Sequence, residues 1–216
     1  MQSIWRLLYA ICAATVIMSL LLDQQTVYLA AKPFLMIILL VYFVSVSGAF
    51  PTWRWYVVLG LVFSWAGDVF LISNNWFEHG LVAFLIAHLF YIAAYHQTGA
   101  ASGQLKPLDI IKVCLYGVVL IAFIYPGLGN MLFPVLLYAL VLLSMAIWAH
   151  KRRGSTNHRS FMLVATGAML FALSDGMIAV NKFAVAIPAE RILIMTTYII
   201  AQYLIIQGLI KHTEKT

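Results

Sequence analysis

The chain has 216 residues, of which 64% are hydrophobic and 9% are charged, and its formal net charge is +6. Soluble globular domains carry about 25% charged residues, so this composition excludes an ordinary soluble domain. The mean hydropathy of +0.97 predicts a membrane protein instead. No polar stretch is long enough to fold alone, so residues 1–216 predict a single integral membrane domain.

Eight apolar segments follow one another along the chain, and a spanning helix needs about 20 mostly apolar residues. The segments cover residues 4–22, 27–46, 56–73, 79–96, 108–125, 130–149, 160–180 and 192–210. Their connections are short, and several contain Gly or Pro, as at Gly48, Pro51 and Pro188. The runs are continuous rather than alternating, which is not the pattern of a transmembrane β-barrel. We therefore predict an all-α, polytopic membrane helical bundle of eight transmembrane helices.

The first segment could be mistaken for a signal peptide, because Arg6 precedes a long apolar run. That run continues to Leu22, which is longer than a usual signal-peptide core, and no clear small-residue cleavage site follows it. We expect this segment to be a retained helix.

The basic residues are unequally divided between the two sides of an eight-helix model. Ten fall on one side: Arg6, Arg54, Lys106, Lys112, Lys151, Arg152, Arg153, Arg159, Lys211 and Lys215. The other three are Lys32, Lys182 and Arg191. Because cytoplasmic loops are enriched in Lys and Arg, this division predicts that both termini are cytoplasmic. It also explains the positive charge without a nucleic-acid partner, with a contact to anionic lipids at residues 150–159 as a second role.

Two of the seven acidic residues lie inside apolar segments, Asp68 in the third and Asp175 in the seventh. A carboxylate near the bilayer centre costs roughly 2.5–3.5 kcal/mol on an insertion scale. Such a residue normally faces a polar cavity and has a function there. We therefore predict that this pair forms the functional site.

Other polar residues share helix faces with the two aspartates or lie at a similar depth. Residues four apart lie on one face of a helix. The resulting groups are Ser64 with Asp68, then Phe84, His88, Tyr91 and Tyr95, then Gly167, Phe171, Ser174 and Asp175, and finally Tyr198 with Gln202. With Lys32 near the outer end of the second helix, they predict one site that opens toward the outer leaflet. Gly167 would permit close helix approach.

Each of these polar residues also has a structural interpretation. His88, Tyr91 and Tyr198 could be packed side chains with satisfied hydrogen bonds. Ser64 and Ser174 could bond to carbonyls of their own helices. Lys32 could extend from a helix end to the membrane surface.

One spacing hints at an internal duplication. Tyr91 follows Asp68 by 23 residues, and Tyr198 follows Asp175 by the same 23. A shift of 107 residues therefore superposes helices three and four on helices seven and eight. Two four-helix halves of the same orientation would be parallel repeats, which we keep as a hypothesis.

Two carboxyl groups in a dry cavity favour acid–base hydrolysis, because the ionisation of one suppresses that of the other. No G-x-S-x-G nucleophile motif is present, and Cys12 and Cys114 are expected to be free thiols within spans. His79, His88 and His96 are poorly spaced for zinc. We expect no metal and no cofactor.

Several motifs resemble the YhhN-like family of membrane proteins, which includes the lysoplasmalogenases. They are Lys32-Pro33, SWAGDVFL (Ser64–Leu71), GLVAFLIAHLFY (Gly80–Tyr91), GAMLFALSD (Gly167–Asp175) and TYIIAQYL (Thr197–Leu204). These motifs span the second to the eighth helix in the expected order. The S-x-x-G-D and L-F-x-x-S-D signatures are fairly specific together, although each alone is weak.

The resemblance implies hydrolysis of the vinyl ether bond of a lysoplasmalogen, a lysophospholipid, to a fatty aldehyde and a glycerophospho-base. Asp68 and Asp175 would serve as acid and base, and Lys32 would bind the phosphate. The other expected site residues, which would orient the acids or contact the substrate, are His88, Ser64, Tyr91, Ser174, Tyr198 and Gln202. The expected location is a bacterial cytoplasmic membrane, with membrane lipids as surroundings.

Two other function classes fit parts of the pattern. A proton-coupled carrier would also use paired intramembrane carboxylates, but its helices should be broken at matching positions, for which Gly67 and Gly176 are the only candidates. The third class is a lipid-binding or scaffold protein without catalysis. The oligomeric state is not predicted.

Overall fold

The computed structural model describes residues 2–46 and 51–212, apart from the side chain of Asn74. These residues form eight α-helices, and no strand occurs among them. The helices fall into two compact units, Met1–Ala94 and Tyr95–Thr216. The all-helical prediction is confirmed. The boundary between the units falls after the fourth helix, where the two halves of the hypothetical duplication would also meet. Both the duplication and the single domain stay predictions.

The first unit contains helices α1 to α4. Their bounds are Gln2–Leu21 for α1, Gln25–Ser45 for α2, Thr52–Phe70 for α3 and Phe77–Tyr95 for α4. Helices α1 and α2 form an antiparallel pair across a tight turn at Asp23, which has φ of 52°. Arg6 Nε donates to Tyr42 Oη at 3.0 Å and so ties the beginning of α1 to the end of α2.

The second unit contains helices α5 to α8. Their bounds are Pro107–Ile124 for α5, Leu132–Lys151 for α6, His158–Phe183 for α7 and Glu190–Lys211 for α8. Helices α7 and α8 approach closely because of two glycines. A Cβ atom at Gly167 would lie 2.9 Å from the Ala201 carbonyl oxygen, and one at Gly208 would lie 2.9 Å from that of Ser160. The close approach predicted at Gly167 is confirmed.

Seven of the described helices are long and apolar enough to cross a membrane, namely α1, α2 and α4 to α8. Helix α3 is the exception, and it carries Arg54 and Asp68, whose charges lower its mean hydropathy. A polytopic helical membrane protein is therefore what the structure supports. The cytoplasmic position of both termini stays a prediction, and Lys215 and Gly48, on which parts of the sequence argument rest, lie outside the described residues.

Helix α3 begins at Thr52, four residues earlier than the predicted segment 56–73. Pro51 precedes it in extended conformation, with φ of −64° and ψ of 162°. Arg54, which we expected outside the helix, lies in its first turns and is 7% exposed. Its guanidinium lies over the rings of Trp53 and Phe43, at 5.2 and 6.0 Å from their centroids. These cation–π contacts explain how the helix begins before the apolar run.

Candidate active site

Asp68 lies on α3 and forms a buried ion pair with Lys32 of α2. Lys32 Nζ is 3.7 Å from Asp68 Oδ1, and the two residues are 5% and 2% exposed. The Lys32 ammonium also lies 6.0 Å from the centroid of the Tyr28 ring. Lys32 is thus inside α2, about two turns from its beginning. The structural alternative, in which Lys32 extends from a helix end to the membrane surface, does not fit this burial, because the lysine charge is paired within the unit.

The remaining predicted residues of the first unit are buried on α3 and α4. Ser64 is fully buried one turn before Asp68 on α3. His88 and Tyr91 are fully buried on α4. A Cβ at Gly60 would lie 2.7 Å from the Tyr91 ring, so this glycine lets the α4 ring pack against α3.

Phe84 packs against α3 in the same way, because a Cβ at Gly67 would lie 2.6 Å from its ring. The ring of His88 is stacked near that of Phe84, with centroids 6.5 Å apart. Gly67 immediately precedes Asp68 in the chain. The predicted aromatic stripe of α4 therefore lies against the part of α3 that carries the aspartate.

Asp175 lies on α7 and accepts a hydrogen bond from the Tyr138 hydroxyl of α6 through its Oδ2 atom. Asp175 is 9% exposed and Tyr138 is 8% exposed. A second tyrosine, Tyr116 of α5, donates its hydroxyl to the Ala172 carbonyl at 2.8 Å. The same hydroxyl would overlap with a Cβ at Gly176. Two tyrosines from two other helices therefore border the α7 turn that contains Asp175.

Sequence reasoning missed Tyr116 and Tyr138. Each lies in an apolar helix that contains no intramembrane acid, so spacing gives no reason to connect it with Asp175. The only signal in the sequence is that each is a tyrosine within an apolar helix, because a buried tyrosine hydroxyl usually finds a hydrogen-bond partner.

The other predicted residues of the second unit lie at the contact of α7 with α8. Ser174 Oγ donates to the Ile194 carbonyl at 3.1 Å, so it bonds the neighbouring helix rather than its own. Gln202 Nε2 is 3.5 Å from Tyr198 Oη. The Tyr198 ring meets that of Phe171 edge-on, with centroids 5.4 Å apart. These contacts confirm that Tyr198 and Gln202 share a face.

The predicted site residues thus belong to two sets. The first unit contains Lys32, Ser64, Asp68, His88 and Tyr91, and the second contains Ser174, Asp175, Tyr198 and Gln202. Among the described residues, no group of three or more His, Cys, Asp or Glu side chains is arranged to hold a metal ion.

Comparisons with family models and with individual proteins indicate the same family. The model of the YhhN family matches residues 27–209. The chain is 34% identical over 168 residues to lysoplasmalogenase TMEM86A of Bos taurus, which covers 73% of this chain and 66% of that protein. It is 30% identical over 181 residues to lysoplasmalogenase TMEM86B of Mus musculus, with 84% of this chain and 74% of that protein covered.

A bacterial relative matches as well. The chain is 33% identical over 162 residues to a lysoplasmalogenase of Mycobacterium bovis, covering 72% of this chain and 60% of that protein. The chain therefore spans slightly less than two thirds of the bovine and mycobacterial relatives. No solved structure matches the chain. Because the family model covers most of its length, this chain belongs to the YhhN family.

Proposed function

We propose that this protein hydrolyses the vinyl ether bond of lysoplasmalogens and releases a fatty aldehyde and a glycerophospho-base. Its relatives of mammalian and mycobacterial origin are named lysoplasmalogenases. The observation that carries the proposal is the pair of buried carboxyl groups, each with its own buried partner. Lys32 pairs with Asp68, and Tyr138 bonds to Asp175.

Vinyl ether hydrolysis requires three steps that suit two acids. One carboxylic acid donates a proton to the enol-ether carbon, which gives an oxocarbenium ion. Water then adds to the carbon attached to oxygen, and the second carboxylate takes the proton that water releases. The second carboxyl group then returns its proton to the ether oxygen as the carbon–oxygen bond of the hemiacetal breaks, and the first carboxylate takes the hydroxyl proton. One water is consumed, and both carboxyl groups regain their starting states.

The different partners suit different roles in these steps. A lysine ammonium 3.7 Å away complements a negative charge on Asp68, so we assign Asp68 to the carboxylate that stabilises the cation and activates water. We assign proton donation to Asp175, whose Oδ2 is held by the Tyr138 hydroxyl. His88, Tyr91, Tyr198 and Gln202 would orient these groups or the glycerol hydroxyls.

The resemblance implied that Lys32 binds the phosphate of the substrate, but Lys32 is already paired with Asp68. A lysine that neutralises Asp68 within the unit is less suited to a phosphate at the membrane surface. We therefore assign Lys32 to the positioning of Asp68, with Ser64 one helical turn away on the same face.

The helices do not support the alternative that this protein is a proton-coupled carrier. It required interruptions at Gly67 and Gly176, but these glycines lie inside the uninterrupted helices α3 and α7. We further propose that the host membrane is a bacterial cytoplasmic membrane, and a mycobacterial protein is among the relatives. Separation of inner from outer membranes would test this location.

The decisive assay compares two lysophospholipids of identical chain length and head group, one with a vinyl ether and one with a saturated alkyl ether. Purified protein in detergent micelles should release aldehyde from the vinyl ether lipid alone, at a steady rate and without an ion gradient. EDTA should not abolish the release. Absence of aldehyde, combined with proton-dependent solute uptake in vesicles, would support a carrier. Loss of activity to EDTA that Zn²⁺ restores would indicate a metallohydrolase.

A further inference from the structure

A groove of about 490 Å³ lies between α5 and α7 of the second unit. Its lining is mostly apolar, with Leu115, Val119 and Phe123 along α5 and Val180 on α7. Lys112 lines the end nearest the beginning of α5. Ligand-binding clefts usually have about 300–1,000 Å³. This groove is therefore large enough for a ligand that has a long apolar part and one anionic end.

Tyr116 connects the groove with Asp175. Tyr116 lines the groove, and its hydroxyl donates to the Ala172 carbonyl and lies against Gly176. Ala172 and Gly176 are one turn apart on α7, and Asp175 lies between them in the chain. The Tyr116 side chain therefore reaches from the groove to the α7 turn that carries the acid.

The distances along α5 match the layout of a lysophospholipid. Lys112 and Tyr116 are four residues apart, or about 6 Å along the helix axis. The glycerol carbons of a lysophospholipid separate its phosphate from the ether oxygen by a comparable length. From Tyr116 to Phe123 the helix rises by about 10 Å, which gives room for part of a hydrocarbon chain.

We propose that this groove binds the chain of a single-chain phospholipid, with the phosphate at Lys112 and the first bonds of the chain beside Tyr116. The proposal rests on the proposed function, because it takes that lipid to be the substrate. The lysine ammonium is a suitable point charge for a phosphate. Tyr116 then serves as a positioning residue for the vinyl ether next to Asp175.

The position of Lys112 in the groove also predicts the side of the membrane on which the lipid head group lies. Arg153 Nη2 lies 2.7 Å from Asp109 Oδ2, so the beginning of α5 is next to the α6–α7 loop. That basic loop is predicted to be cytoplasmic. The head group would therefore lie on the cytoplasmic side, whereas the sequence had suggested an opening toward the outer leaflet.

Two adjacent valines provide a matched test. Val119 lines the groove, whereas Val118 does not, and they are 58% and 66% exposed. The probe is a radiolabelled saturated alkyl-ether lysophospholipid, which cannot be hydrolysed, in detergent micelles. Val119→Trp should fill the groove and weaken binding roughly tenfold, equivalent to about 1.4 kcal/mol. Val118→Trp should leave binding within about twofold of wild type. Equal effects of the two variants, or none, would overturn the proposal.

A second pair of variants tests the phosphate contact. Lys112→Gln should weaken binding of the alkyl-ether lysophospholipid but not of the corresponding alkylglycerol, which lacks the phosphate. Lys106→Gln, at the exposed N-cap of α5, should affect neither ligand. Equal loss for both ligands in Lys112→Gln would contradict the phosphate assignment. The alkyl-ether probe is not cleaved, so its binding is measured separately from activity. If the probe binds but the vinyl ether lipid yields no aldehyde, the hydrolase function is rejected and the proposed lipid site in the groove stands.

Discussion

At the scale of single residues, the buried ion pair of Lys32 with Asp68 is costly to maintain. Taking two charges out of water carries a penalty that their attraction often fails to repay. A well-packed apolar pair of similar volume would often be as stable or more stable. A pair that is 5% and 2% exposed is therefore better explained by a chemical role than by stability.

Replacement of either aspartate tests that chemical role. Asp68→Asn and Asp175→Asn should each lower kcat at least about 100-fold, because general acid–base catalysis contributes roughly 10²–10⁴-fold. The double variant should be scarcely slower than the slower single variant, since residues that act as a unit are not additive. The thermal unfolding of each variant in detergent serves as the folding control. Near-normal turnover in either single variant would show that its aspartate is structural.

Lys32 distinguishes the positioning of Asp68 from phosphate binding. Lys32→Gln leaves Asp68 without this cation, and breaking a buried pair costs about 3–5 kcal/mol. We expect a lower melting temperature and a lower kcat, with partial rescue in Lys32→Arg. Lys182→Gln, which changes an exposed lysine, is the control and should behave like wild type. A rise in KM alone, present only with phosphate-bearing substrates, would restore the phosphate role.

The sequence predicts one part of this site better than the other. Helical spacing was enough to place Ser64 on the face of Asp68, because both lie on one regular helix. The partners from other helices could not be predicted in this way. Whether Lys32 meets Asp68, or Tyr138 meets Asp175, depends on how helices pack, and packing is not encoded in the period of a single segment.

At the scale of elements, Arg152 joins three parts of the second unit. It is fully buried just after α6, and its Nε donates to the Thr98 carbonyl at 3.2 Å. Its Nη2 donates to Ser160 Oγ at 3.1 Å, and Ser160 Oγ in turn donates to the Gly208 carbonyl at 2.6 Å. Burial lowers the pKa of Arg152 to about 10, so it is still charged at neutral pH. A buried cation just after α6 thus connects the turn His96–Ala100 with α7 and, through Ser160, with α8.

Neighbouring arginines allow this role to be measured. Arg152→Met keeps most of the volume but removes both hydrogen bonds, and hydrogen bonds of charged groups are worth about 1.5–3 kcal/mol. It should therefore lower the melting temperature clearly. Arg153→Met, which breaks a partly exposed ion pair with Asp109, should cost about 1 kcal/mol or less. Wild-type stability of Arg152→Met would mean that the burial penalty outweighs these hydrogen bonds.

The existence of the helices was easier to predict than their ends. Long apolar runs decide the existence, because lipid leaves no other regular structure open to them. The ends depend on local chemistry that the apolar pattern does not contain. One example is the turn His96–Ala100 after α4, where Gly99 has φ of 120°. The early beginning of α3 at Thr52 is another.

At the scale of the whole molecule, the unequal division of basic residues fixes the predicted topology. Reporter fusions at the C-terminus and within residues 150–159 should both be cytoplasmic, because Lys and Arg are retained on that side. A fusion within residues 181–187 should be external. A C-terminus outside the cytoplasm would reject eight spans with both ends inside. In that case the side assigned to the head group would be reversed as well.

The central claim is that an acid protonates the vinyl ether carbon and that water then attacks the adjacent carbon. Isotopic labelling of the products tests it directly. In D₂O the aldehyde, trapped at once by reduction, should carry one deuterium on the carbon next to the former carbonyl. In H₂¹⁸O the glycerophospho-base should stay unlabelled, because its own carbon–oxygen bond is not cleaved. An aldehyde without deuterium, or ¹⁸O in the glycerophospho-base, would contradict the mechanism.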